Sequence, residues 1–139
     1  MQYTNINQIF MESIMTKKGE RHRLSLIIAT LGPSTDNEKE LITMITAGIA
    51  RQWTDGVDIA RVVHNDGEST VIDRVNIFRE QCSKRNFNTS IYLDTDDTNA
   101  INLQKYLELA KTIKPKYISI PKTFGIDVIN DAKKTFQDS

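Results

Sequence analysis

Arg61 closes the run Ile59-Ala60-Arg61 and is followed by Val62-Val63-His64-Asn65-Asp66-Gly67. A guanidinium at the end of a buried strand is costly to hold unless something anionic meets it. Two readings follow: a salt bridge to a neighbouring carboxylate, or a fork for the carboxylate or phosphate of a ligand. Gly32-Pro33-Ser34-Thr35, just after the apolar run that begins at Leu24, is a second place for chemistry. Backbone N–H groups at a helix start can hold an anion there, or Ser34, Thr35 or Asp36 can serve as plain helix caps. A third place is Asp94-Thr95-Asp96-Asp97-Thr98. Asp97 or Thr98 would suit a helix N-terminus, where acceptor oxygens and negative charge are favoured. As a calcium loop the run fails, because Asn99 stands where glycine is needed and Lys105 where the bidentate Glu belongs. His64 is a lone imidazole in a turn, which makes no metal site and reads as exposed. Cys82, the single cysteine, excludes an internal disulfide and reads as a buried or half-buried helix residue.

The elements that must position these residues alternate strand and helix. Residues 24–30 read as a strand, and 37–52 as a helix with Leu41, Ile42, Met44, Ile45 and Ile49 on its apolar side. A second strand spans 57–63 and turns at His64 to Gly67 into a helix over 69–84, where Val71, Ile72, Val75 and Phe78 recur at helical spacing. Strands at 90–94 and 116–120 are each followed by a helix, over 100–113 and 126–137. Such alternation predicts an α/β fold: a parallel sheet with helices packed on it, and loops at the strand C-termini as the place for chemistry. Residues 4–14 read as a separate short amphipathic helix carrying Ile6, Ile9, Phe10 and Ile14. An open sheet of four strands leaves two edges that must be covered or paired.

Bulk properties narrow the class. The chain has 139 residues, enough for one domain with a real core, and its 18 basic residues balance 18 acidic ones. No net field recruits nucleic acid or an acidic membrane surface. No apolar stretch approaches the ~20 residues of a membrane helix, and residues 1–15 lack the pattern of a secretory signal. With one cysteine, a reducing, cytoplasmic setting is expected.

Ile28-Ala29-Thr30-Leu31-Gly32-Pro33-Ser34-Thr35 resembles the opening strand and turn of pyruvate kinases, which transfer a phosphoryl group from phosphoenolpyruvate to ADP in glycolysis. Ala60-Arg61 through Gly67 is similar to that family's Ala-Arg-Leu-Asn-Phe-Ser-His-Gly, and Leu93-Asp94-Thr95 to its Leu-Asp-Thr. Looser similarity runs on through Ile101–Ile113, Lys116–Lys122 and Asp127–Ala132. The resemblance implies a fold: the first half of a (βα)8 barrel over residues 22–139, preceded by a helical arm over 1–21. It implies roles as well. Arg61 would be the catalytic and substrate-binding residue that reaches the phosphoryl group. Asp94, Thr95 and Asn65 would be potassium ligands, and Asn65 a nucleotide-binding position. Oxygen donors of this kind suit a hard monovalent ion.

The departures are specific. Val63 and Asn65 stand for the family's potassium-binding Asn and Ser, and Asp66 for its histidine. After Thr95 the family's Lys-Gly-Pro run into a large lid domain is replaced by Asp96-Asp97-Thr98-Asn99-Ala100. The family's catalytic lysine and its magnesium-holding Glu/Asp pair have no counterpart in these residues, and residues 49–55, with Trp53, are an insertion. Phosphoryl transfer relies on charge neutralisation by metal and cations, so the chain alone is expected to be inactive, a pseudoenzyme. Two alternatives stand beside this. One is a non-catalytic module that self-associates, or pairs with a partner chain, through its sheet edges. The other is a phosphatase: Asp94-Thr95-Asp96-Asp97-Thr98 resembles the Asp-x-Asp-x-Thr motif of haloacid-dehalogenase-type enzymes, with Asp94 as nucleophile and Asp96 as acid/base. The expected partners are phosphoenolpyruvate or another small phosphorylated acid and a second protein chain.

Overall fold

The computed structural model describes residues 26–47, 56–87, 89–95 and 102–137. The apolar runs form strands and the amphipathic runs the helices between them: β1 (Ile28–Thr30), α1 (Glu38–Thr46), β2 (Ile59–Val63), α2 (Glu68–Lys84), β3 (Ser90–Asp94), α3 (Leu103–Ile113), β4 (Tyr117–Ile118) and α4 (Gly125–Gln137). Short 3-10 turns at Pro33–Thr35, His64–Asp66 and Lys122–Phe124 follow three of the strands. The sheet has the order β1-β2-β3-β4, and every neighbouring pair is parallel. Strand-helix alternation therefore does produce a parallel α/β sheet, and the sheet is open.

Side-chain alternation sorts the strands into two faces. Leu31, Ala60, Val62, Ile91 and Leu93 belong to one buried cluster with Leu41, Val71, Val75, Phe78, Tyr106 and Leu109 of the helices. The other face carries Thr30, Arg61, Val63, Tyr92 and Asp94, which are exposed or half-buried. Helices thus cover one face, and the charged residues of β2 and β3 lie on the opposite one.

Several bounds are shorter than periodicity predicts. β1 begins at Ile28, where pairing with Ile59 starts, instead of 24. Described α1 ends at Thr46, and Gly56 returns onto that end: its N–H donates to Ile45 O at 3.2 Å, and a Cβ there would lie 2.2 Å from Met44 O. Only glycine permits so close an approach. Gly67, at φ 95° and ψ 142°, makes the turn that launches α2, again a conformation that favours glycine. The caps also differ from expectation. Asn37 caps α1 by accepting from Lys39 N–H, and Asn102 caps α3 by accepting from Lys105 N–H. Ser34, Thr35 and Asp36 are not the cap of α1. The expected helix over 4–14, the 49–55 insertion with Trp53, and Asp96 to Asn99 lie outside the described residues. Among the described residues no helix is long and apolar enough to cross a membrane.

Candidate functional site

Parallel pairing sets Asp94 opposite Val63, two residues beyond Arg61 on the adjoining strand, so both side chains emerge on the uncovered face near the strand C-termini. Arg61 Nε and Nη2 each reach Asp94 Oδ2 at 2.6 Å. Arg61 Nη1 donates to Thr30 Oγ1 on β1 at 3.2 Å. Just past β4, Ser119 Oγ donates to Asp94 Oδ1 at 2.6 Å and accepts from Thr95 N–H at 3.0 Å. One hydrogen-bonded row, Thr30-Arg61-Asp94-Ser119, thereby crosses all four strands. Its charged pair is partly wet, with side chains 25% and 16% exposed. Of the two readings of Arg61, the salt bridge is the one formed, although the guanidinium keeps access to solvent.

Asp94 and Thr95 are brought together through Ser119, whose hydroxyl lies 3.5 Å from Thr95 Oγ1. Asn65 stands exposed on the turn after β2, outside the hydrogen-bonded row. As potassium ligands these residues do not fit as they stand. Both Asp94 oxygens are engaged, one of them by a guanidinium at the distance a cation would need. The positive charge beside Asp94 is supplied by Arg61. Those same engagements hold Asp94 away from nucleophilic work, and its proposed acid/base partner Asp96 lies outside the described residues. Among the described residues no group of three or more His, Cys, Asp or Glu is gathered for a metal ion such as magnesium.

Beneath the row, on the helix side, Tyr106 of α3 is fully buried. Its hydroxyl lies 2.8 Å from Ser119 O and 2.9 Å from Leu93 O, so its single proton is shared between the ends of β3 and β4. Burial pushes this phenol far above the ordinary tyrosine value. The ring meets His64 edge-on at 5.5 Å. His64 is therefore not the exposed turn residue expected from sequence: it is half-buried, and its Nδ1 is buried with no hydrogen-bond partner among the described residues. Packing against Tyr106 is what draws it in.

A second arginine ties the turns together. Arg74 on α2 reaches both oxygens of Asp36, at 2.6 and 2.8 Å, and Asp66 at 2.5 Å. The Arg74 hydrogen bond holds the Asp36 carboxyl below its usual range, and Asp36 in turn raises Arg74. The turn after β1 is thereby fastened to the turn after β2. Within the first turn, Gly32 N–H donates to Thr35 Oγ1 and Thr35 N–H to Gly32 O. These two backbone donors are spent internally, which disfavours the anion site expected at Gly32–Thr35.

Sequence reading missed Ser119, Thr30 and Arg74 as partners. Ser119 could have been found as a small polar residue inside the run Lys116–Ile120, on the same face as Tyr117. Arg74 had no such signal, since its partners lie 38 and 8 residues away. Cys82 is buried as expected, and burial pushes its thiol up, away from reactivity. Compared with models of known protein families and with curated proteins, the chain matches none.

Proposed function

We propose that the row Thr30-Arg61-Asp94-Ser119 receives a small phosphorylated acid, and that the sheet is half of a barrel of the pyruvate-kinase kind. One observation carries this reading: a partly exposed guanidinium stands on the face left open by the helices, two residues before the C-terminal end of β2, and is tied to Asp94 at the end of β3. Ligands of parallel α/β folds bind at that end. Planar N–H donors suit a phosphate or carboxylate better than a lysine would. Within the row Arg61 supplies the positive charge, and in this reading the site binds its anion without completing phosphoryl transfer.

The anion must compete with Asp94, which already occupies Arg61. That competition yields a test with opposite signs at two neighbouring positions. Titration of the full chain with phosphoenolpyruvate, followed calorimetrically, should show weak binding that Arg61→Gln abolishes. Asp94→Asn should tighten it about tenfold, the equivalent of ~1.4 kcal/mol, by removing the internal competitor. Failure of both the native chain and Asp94→Asn to bind, with their circular dichroism unchanged, would overturn the reading.

A further inference from the structure

We infer that two copies of this chain join edge to edge, β1 of each against β4 of the other. The inference stands on the sheet edges and not on the ligand reading above. Toward β2, Ile27 O accepts from Asp58 and Ile59, and Leu31 N–H donates to Arg61 O. By the alternation of a parallel ladder, the N–H and C=O of Ile28 and Thr30 then face the other way, where no described strand pairs with them. At the opposite edge, Ser119 N–H donates to Leu93 O across the pair Leu93–Ile118, so the backbone groups of Ile118 face outward. The two outer edges have the same polarity and lie at opposite ends of the sheet.

Their side chains match as well. The β4 edge borders a groove of about 310 Å3 floored by Ile118, Ile120, Ile129 and Phe136, with Lys116 and Lys133 beside it. Ile118 lies opposite Leu93 of the core, so this groove is on the helix side. The β1 edge presents what would fill it. Leu26, Ile27 and Ile28 are 49%, 44% and 54% exposed. Ile27 shares its side of the sheet with Leu31, toward the helices, whereas Leu26 and Ile28 share the side of Thr30, where Tyr117 is 42% exposed. A docked β1 thus sends Ile27 into the groove and sets Ile28 beside Tyr117. Charge agrees with this pairing. Asp58, just before β2, accepts from Ile27 N–H at 2.7 Å and so lies across the start of β1, toward the Lys116 end of a docked β4. Lysine on an edge strand discourages casual pairing, so a strand arriving with a carboxylate is favoured over one without. A two-fold axis along the strands forms both seams at once and closes the sheet, four strands from each copy, around a face whose Arg61 and Asp94 already neutralise each other. Eight strands is a count whose interior side chains can fill.

Sedimentation of the full chain should give twice its own mass at micromolar concentration. Ile28→Glu at the β1 edge, and Lys116→Glu with Lys133→Glu at the β4 edge, should each weaken dimerisation at least about tenfold with circular dichroism and melting unchanged. All these side chains are exposed or half-buried, so the monomer fold tolerates them. Mixing Ile28→Glu chains with the Lys116→Glu/Lys133→Glu chains leaves one intact seam and should restore mixed dimers. A monomeric native chain, a dimer indifferent to both edge variants, or no recovery on mixing would each overturn the inference.

Discussion

On its helix side the sheet presents Ala60, Val62, Ile91 and Leu93, none more than 1% exposed, to a cluster that includes Val75, Phe78 and Tyr106. On the other side the same two strands present Arg61, Val63, Tyr92 and Asp94, all half-buried. Identical backbones carry both sets, separated only by the two-residue period of the strand. The covered face provides stability through area removed from water. The open face keeps charge in contact with solvent. The two arginines repeat this contrast. Arg74, its side chain 9% exposed, is held by two carboxylates and fastens turns, whereas Arg61, paired with Asp94, keeps 25% of its side chain exposed.

The sharpest way to break the comparison is truncation on each face. Phe78→Ala, in the covered core, should destabilise by about 3–5 kcal/mol in urea unfolding. Tyr92→Ala on the open face should cost far less, and similar costs would mean the faces are not energetically distinct. Tyr106→Phe tests the link between them. It removes the proton shared by Ser119 O and Leu93 O, and should cost about 1–3 kcal/mol because two carbonyls lose a buried donor. It should also speed amide exchange at Thr95, whose N–H is held by Ser119, and unchanged exchange there would uncouple the core from the row.

The smallest effect concerns the fastened turns. Arg74 lowers the Asp36 carboxyl in the folded chain, so the stabilisation from this pair is complete above the ordinary aspartate value of about 3.9. It is lost as pH falls through the depressed folded value, since protonated Asp36 no longer accepts from Arg74 as a carboxylate. Asp36 is 45% exposed, so screening limits the pair to a fraction of about 1 kcal/mol. Asp36→Asn should therefore barely change the urea midpoint at neutral pH, while flattening its acid dependence below about pH 4. An unchanged acid slope would show that Asp36 carries none of it.

Much of the architecture was legible locally. Val71, Val75 and Phe78 recur at helical spacing and are buried; Ser90 to Asp94 alternate as a strand and form β3 with those bounds. His64 was misread because a turn position says nothing of an aromatic ring arriving from α3, 42 residues later. The caps were misplaced because 3-10 turns follow β1 and β2, delaying α1 until Asn37. Asp94 and Thr95 do come together, but their meeting depends on Ser119, which local patterning hides in an apolar run.

The alternation of strand and helix, the apolar faces and the neutral charge were determined by the sequence alone, because hydrophobic period is a property of neighbours in the chain. Which carboxylate meets Arg61 was decided only in three dimensions. Asp58 and Asp66 are nearer in sequence, yet Asp94 is the partner from 33 residues away. Parallel register places it opposite Val63, on the same face, and a salt bridge depends on distance through space.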